Sequence, residues 1–140
     1  ALIYLGNGDY AKAAQMAESA IQQSPADPLL YGYLGTILYR SQNYPAAVQP
    51  LRLATRGGAA EAGDGAAVQV QGMPLDGDTM AMYARYGLSL ARTDECGEAL
   101  QISQTLLQAF PNDETNVYNA TEIVNICSGI SETPTAAETQ

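Results

Sequence analysis

Along Tyr31–Ala54 the apolar positions keep a helical rhythm that breaks once and then resumes. Tyr31, Leu34, Gly35 and Leu38 stand at i, i+3, i+4 and i+7, which is one face of a helix. Polar Ser41-Gln42-Asn43 interrupts it, and a second rhythm runs through Tyr44, Ala47, Leu51 and Ala54. The pattern predicts two short amphipathic helices joined by a tight turn. Read along the whole chain, it predicts helices at about Tyr10–Gln23, Pro28–Arg40, Tyr44–Arg56, Met80–Arg92, Cys96–Ala109 and Glu114–Cys127. Ala1–Gly6 reads as the last part of a further helix, turning at Asn7-Gly8-Asp9. Asp27 and Thr79 are expected N-caps, with Pro28 at a tolerated first-turn position. Pro50 removes the bond to Ala46 and is expected to bend its helix. In the last helix Val117, Ala120 and Val124 are expected to face inward, leaving Asn116, Asn119, Glu122 and Asn125 solvated.

The helices are copies. Gly8-Asp9-Tyr10, with Ala13 and Ala20 after it, returns 34 residues on as Gln42-Asn43-Tyr44, with Ala47 and Ala54. Tyr31, Leu34, Gly35, Leu38, Tyr44 and Ala47 return 52 residues on as Tyr83, Tyr86, Gly87, Leu90, Cys96 and Ala99. Since 52 is 34 plus 18, the third copy is displaced by an 18-residue insertion. Pro25 and Pro111 lie 86 apart, which is 34 plus 52.

A 34-residue period carrying Tyr31-Gly32-Tyr33-Leu34-Gly35-Thr36-Ile37-Leu38, then Asn43-Tyr44, Ala47, Leu51 and Ala54, resembles the tetratricopeptide repeat. The resemblance covers about residues 1–61 and 79–128. It implies an all-α chain, an antiparallel helix-pair solenoid forming a tetratricopeptide-like superhelix. About seven helices are expected, with a long loop between the second and third repeats. Residues 1–130 then form one repeat domain: a truncated repeat at 1–27, a full repeat at 28–61, the inserted loop at 57–78, a repeat at 79–113 and a terminal helix at 114–128. Residues 131–140 are expected to be a flexible tail. Gly35 and Gly87 each cost about 1 kcal/mol of helix propensity against alanine. Close packing of a partner helix offsets that cost, with Ala47 and Ala54 as the expected matching small residues. The first copy lacks its beginning, so the chain reads as a piece of a longer protein, and uncovered Leu2, Ile3 and Leu5 predict self-association at that end.

The glycine-rich stretch Gly57–Asp78 departs from the repeat. It is expected to be a loop, in which Val68-Gln69-Val70-Gln71 can form a short extended piece. Two readings stand. Val68, Val70, Met73 and Leu75 pack onto neighbouring helices, or the loop is a lid or wall of a binding groove. Asp64, Asp76 and Asp78 lack the spacing and closing Glu of an EF-hand.

In tetratricopeptide arrays the first helix of each pair lines the concave surface. Carried over, the resemblance implies a groove of Leu29, Tyr33, Thr36, Tyr39 and Arg40, then Arg85, Leu88 and Arg92, then Tyr118, Asn119 and Glu122. Three of the six basic residues, Arg40, Arg85 and Arg92, are in this set. They suit an acidic or carboxylate-ended peptide with Tyr33, Tyr39 and Tyr118 as anchors. The plainer reading is that Arg40 and Arg92 favour helix C-termini electrostatically and the tyrosines pack. Gly32, Thr36, Ala84 and Leu88 stand where chaperone-binding members carry polar clamp residues, so chaperone tails are not the expected ligand. In such an array successive helices are antiparallel, which brings Cys96 at the start of one beside Cys127 at the end of the next, within disulfide reach. Two reduced core cysteines are the alternative. A bridge implies an extracytoplasmic location; reduced thiols imply a cytoplasmic one.

Charge and residue types narrow the chemistry. Six basic against 15 acidic side chains give a net charge of −9, which provides no attraction for nucleic acid or an anionic membrane. The chain has no run of about 18 apolar residues, so no direct membrane insertion is expected. There is no histidine, and two cysteines alone do not make a structural zinc site, so no metal or cofactor is implied. Glu98 and Glu122, like Asp94 and Glu95, read as ordinary solvated helix charges, and no nucleophile motif appears. Two functions follow: a non-catalytic protein–protein interaction scaffold binding a peptide or partner segment in the groove, or a structural C-terminal end-piece of a longer solenoid without a ligand.

Overall fold

The computed structural model describes residues 7–61 and 65–129. In chain order they form α1 (Asn7–Gln23), α2 (Pro28–Arg40), α3 (Tyr44–Thr55), β1 (Gly57–Glu61), β2 (Ala67–Gln71), α4 (Met80–Arg92), α5 (Cys96–Ala109) and α6 (Glu114–Cys127). Each helix packs on the next, and α4 also meets α2 and α6. Among the described residues there are six helices. The remaining expected helix, at Ala1–Gly6, lies outside them, as do Leu2, Ile3, Leu5 and the expected tail. The helix begins at Asn7 rather than Tyr10, and α3 runs unbroken through a buried Pro50 to Thr55.

Local chemistry explains the boundaries. The Asp27 carboxylate accepts a hydrogen bond from Leu29 N at 3.0 Å, and Pro28 follows it at the first turn. Helices α2 and α4 end in the same turn, 52 residues apart. Gln42 and Asp94 adopt φ of 65° and 66°. The next residue then reaches back, Asn43 N to Leu38 O at 2.9 Å and Glu95 N to Leu90 O at 2.8 Å. Neither residue is glycine, although this conformation costs about 1–2 kcal/mol for most side chains. Gln42→Gly is therefore expected to raise stability by about 0.5–1 kcal/mol in urea denaturation, and Asp94→Gly by less, because aspartate tolerates left-handed backbone better.

Close approach of helices is built on Gly35 and Gly87, but not against the expected alanines. A Cβ at Gly35 would lie 2.5 Å from Leu51 Cγ, and one at Gly87 would lie 2.7 Å from Ile123 Cδ1. Ala54 instead faces Gly32. The main core joins Ala47 and Leu51 of α3 to Tyr86, Leu90, Ile102, Leu106, Ala120 and Ile123. A smaller cluster of Ala17, Leu34 and Ile37 joins α1 to α2.

The all-α expectation is corrected at Gly57–Asp78. The stretch begins with an antiparallel hairpin, in register Gly57 with Gln71, Gly58 with Val70, Ala59 with Gln69, Ala60 with Val68 and Glu61 with Ala67. Val70 is fully buried with Tyr31, Leu53 and Ala54, Met73 packs on that cluster, and Leu75 packs on the main core. The base is stitched to α3 and α4. Met73 N donates to Ala54 O at 2.8 Å, and Tyr83 Oη lies 2.5 Å from Met73 O and 3.2 Å from Thr55 O. Gly72 passes so close that a Cβ there would sit 2.2 Å from Thr55 O. Thr79 is not the expected side-chain cap: its hydroxyl donates to Pro74 O at 2.7 Å. Asp76 spends its carboxylate on Asp78 N and Thr79 N, at 2.8 and 3.0 Å. Asp64 lies outside the described residues.

Helix α6 is turned by about one position from the expected face. Asn116, Ala120, Glu122 and Ile123 are buried and Val124 is exposed. The reason is polar. Asn116 Nδ2 donates to Leu106 O at 2.9 Å and Phe110 O at 3.0 Å, adding a second hydrogen bond to each of two carbonyls at the end of α5. Ser103 Oγ donates to Ala120 O at 2.8 Å beside it. Cys96 and Cys127 are joined, with Cα atoms 5.7 Å apart.

Candidate functional site

Leu29, Tyr33, Thr36 and Arg40 follow one another on α2 at helical spacing, and Ala81, Arg85, Leu88 and Arg92 do so on α4, 52 residues on. Because α2 meets α4 and α4 meets α6, these positions form one surface. Two adjoining hollows run along it. One, of about 240 Å³, is bordered by Leu29, Tyr33, Thr36, Asp78, Met82 and Arg85. The other, of about 300 Å³, is bordered by Tyr39, Arg40, Arg85, Leu88, Thr115 and Asn119. Ala81 and Arg85 belong to both. Leu29 and Tyr33 are exposed, at 62% and 46%.

Arg85 is the electrostatic centre of this surface. Burial comes first in pulling its pKa below the ordinary arginine value, and the Arg40 charge adds to it. Arg85 Nη1 donates a long hydrogen bond, 3.5 Å, to Thr36 Oγ1. Among the described residues no carboxylate lies within ion-pair distance of Arg85 or Arg40. Tyr39, beside them, is pushed up by burial and by Tyr44, and pulled back by Arg85, Arg92 and Arg40.

The remaining residues of the expected groove are placed differently. Arg92 is engaged: Nη2 lies 4.0 Å from Glu122 Oε2, and its Cζ sits 5.5 Å from the Tyr44 ring centroid. Tyr44 in turn meets Tyr39 edge to face at 5.6 Å. Glu122 is buried at 6% exposure and is not the solvated charge expected of it. Tyr118 is 59% exposed and borders neither hollow. Asp78 and Met82 border the first hollow although the repeat pattern did not single them out for it. Asp78 had a weak signal, since it stands two residues before α4 at the same end as Leu29.

Glu98, on the other side of α4, is likewise engaged rather than an ordinary solvated charge. Tyr86 Oη donates to Glu98 Oε2 and accepts from Arg52 Nε at 3.0 Å. Arg56 Nε lies 2.6 Å from the same Glu98 oxygen, and Arg52 Nη2 lies 3.5 Å from Oε1. This network ties α3, α4 and α5 together. Burial, then the bond to Glu98, pushes the Tyr86 hydroxyl from 10.0 to about 12. A phenol whose folded pKa is raised stabilises the fold fully below its unfolded value, and that contribution is lost as pH rises through the folded one. Stability is therefore expected to fall between about pH 10 and about pH 12. Urea titrations of the chain and of Tyr86→Phe check this, the variant showing a shallower fall.

Among the described residues no cluster of three His, Cys, Asp or Glu side chains could hold a metal ion, and no helix is long and apolar enough to cross a membrane. Residues 1–67 match the family model of the tetratricopeptide repeat. Searches of curated proteins and of solved structures found no match. The match spans α1 to α3 and the start of the hairpin. Residues 1–67 are thus similar to the tetratricopeptide repeat, a family that typically provides non-catalytic scaffolding for protein–protein interaction, and the 52-residue register carries the same helix-ending turn into α4.

Proposed function

We propose that the helix pairs stack as an antiparallel solenoid and that its α2–α4–α6 surface is a concave groove for an extended peptide with an acidic or free carboxylate end. The observation that carries this reading is Arg85, a partly buried guanidinium that has Arg40 nearby and no carboxylate partner among the described residues. A desolvated cation is costly unless a counter-charge arrives, and a bidentate carboxylate supplies one. The groove is also polar along its length. Asp78 borders one end and Arg40 the other, so the peptide lies with its negative end toward Arg40. Leu29 and Tyr33 provide exposed apolar contact, while Leu88 borders the second hollow from within the main core. The Cys96–Cys127 bridge supports an oxidising, extracytoplasmic setting for the binding event, with the cytoplasm as the alternative.

The test is fluorescence anisotropy with a labelled octapeptide ending in Glu-Asp with a free C-terminus. Saturable binding is expected, with Arg85→Ala weakening it about 10- to 100-fold, since a hydrogen bond to a charged group contributes about 1.5–3 kcal/mol. Arg40→Ala is expected to weaken it less, because Arg40 is exposed. Absence of binding, or equal binding by Arg85→Ala, would overturn the proposal and favour a structural end-piece with no ligand of its own.

A further inference from the structure

We propose that β1 is a second docking edge, for an extended segment of another polypeptide whose side chains alternate between apolar and basic. It lies away from the arginine-bearing surface and does not depend on the function proposed there. A hollow of about 580 Å³ separates β1 from α1 and α2. Its floor is apolar, made of Ile21, Tyr31, Leu34 and Leu53, and its rim carries Glu18 and Glu61. Ala59, Ala60 and Glu61 of β1 border it and no residue of β2 does, so the strand turns toward it the edge that β2 does not use.

Among the described residues nothing pairs with that edge. In a two-stranded antiparallel sheet alternate residues of each strand point their N–H and C=O groups outward. Among the described residues no hydrogen bond joins β1 to any element other than β2. The devices that usually blunt an exposed edge, a lysine, a proline or a covering helix, are missing from Gly57–Glu61, where only Glu61 is charged. Side chains no larger than methyl at Gly58, Ala59 and Ala60 leave the backbone approachable. The edge is also held in place, because Val70 is buried and Met73 is bonded to Ala54, so little order has to be created on binding.

The same residues select the occupant. Main-chain pairing requires an extended backbone, and alternate side chains of a strand then fall on one face. One set reaches the Ile21–Leu53 floor, which takes apolar groups. Glu18 and Glu61 are exposed and form no ion pair among the described residues, so the rim takes lysine or arginine. A second copy of this chain, itself at net −9, is disfavoured by charge.

The experiment is an NMR titration of the full chain with a decapeptide of alternating valine and lysine, alongside an alternating valine–glutamate decapeptide and an N-methylated valine–lysine control. The valine–lysine peptide is expected to shift and protect amides of Gly58–Glu61 and to perturb Ile21 and Leu53. The other two peptides are expected not to bind. Glu18→Lys/Glu61→Lys, both at exposed positions, should weaken binding at least about tenfold while leaving the spectrum of the free protein folded. No binding at millimolar peptide overturns the proposal. So does binding that survives N-methylation, a footprint on α2, α4 and α6 instead, or protection of β1 by a second copy of the chain without peptide.

Discussion

Gly35→Ala is expected to destabilise this chain by about 1–3 kcal/mol, and the same substitution is expected to stabilise it once Leu51 is alanine. In an ordinary helix the change gains about 1 kcal/mol of propensity. Here the new methyl would come 2.5 Å from Leu51 Cγ and 2.6 Å from Cδ2, with Leu51 N at 3.2 Å behind them. Leu51 is fully buried and has no room to withdraw. Leu51→Ala alone is expected to cost about 3–5 kcal/mol, the range for a buried leucine whose surroundings collapse incompletely. In that background the Gly35→Ala methyl has lost its side-chain clash, keeps only the 3.2 Å approach to the residue 51 amide, fills part of the cavity and recovers the helix propensity. A double-mutant cycle by urea denaturation should therefore give a coupling of about 2 kcal/mol or more, with a change of sign. Additive effects would mean that α2 and α3 do not approach at Gly35.

Removing the bridge is the other large change. Cys127→Ala is expected to cost about 3–4 kcal/mol, because the bridge closes a loop with a sequence separation of 31. Its effect should be uneven along α6. The early part of the helix remains held by Asn116 on Leu106 O and Phe110 O, and by Ser103 on Ala120 O. Beyond Ile123 the chain loses its main tether, so amides from Ile126 to Ser128 should lose hydrogen-exchange protection first. Cys96→Ala should cost about the same, and the double variant no more than either single one. Mass spectrometry of the alkylated, unreduced protein supplies the chemical control: an unchanged mass marks the bridge, and two added labels would remove the basis for this prediction.

The helices were legible because their signals are local and repeated. Asp27-Pro28 marks a helix start by itself, and the 52-residue register is enough to place α4 and α5. The hairpin was hidden because Gly57-Gly58-Ala59-Ala60-Glu61 has no β-branched or aromatic residue to mark a strand. It pairs because Val70 has a buried place among Tyr31, Leu53 and Ala54, which only the tertiary structure provides. Periodicity misplaced the face of α6 for a similar reason. It counts Asn116 as a solvent residue, although its amide is buried against Leu106 O and Phe110 O at the end of α5. Glu98 likewise looks like any helix surface charge until Arg52, Arg56 and Tyr86 arrive from two other helices.

The surface of the candidate site was legible in the repeat register, and its chemistry less so. The repeat register put Leu29, Tyr33, Thr36, Arg40, Arg85 and Leu88 on one surface, and they border its hollows. It did not separate arginines already engaged from those without a carboxylate. Arg92 has Glu122 and the Tyr44 ring, whereas Arg85 has a long contact to Thr36 and no carboxylate within ion-pair distance among the described residues. That difference makes Arg85, rather than the three arginines alike, the residue on which the proposed function stands.

The most direct test of that function is the amide chemical-shift footprint of the acid-ended octapeptide on the full chain. The account predicts saturable shifts confined to the faces of α2, α4 and α6 that carry Tyr33, Tyr39, Arg85 and Asn119, with Arg85→Ala moving saturation to about 10- to 100-fold higher peptide concentration. A footprint elsewhere, or one unchanged by Arg85→Ala, would contradict it.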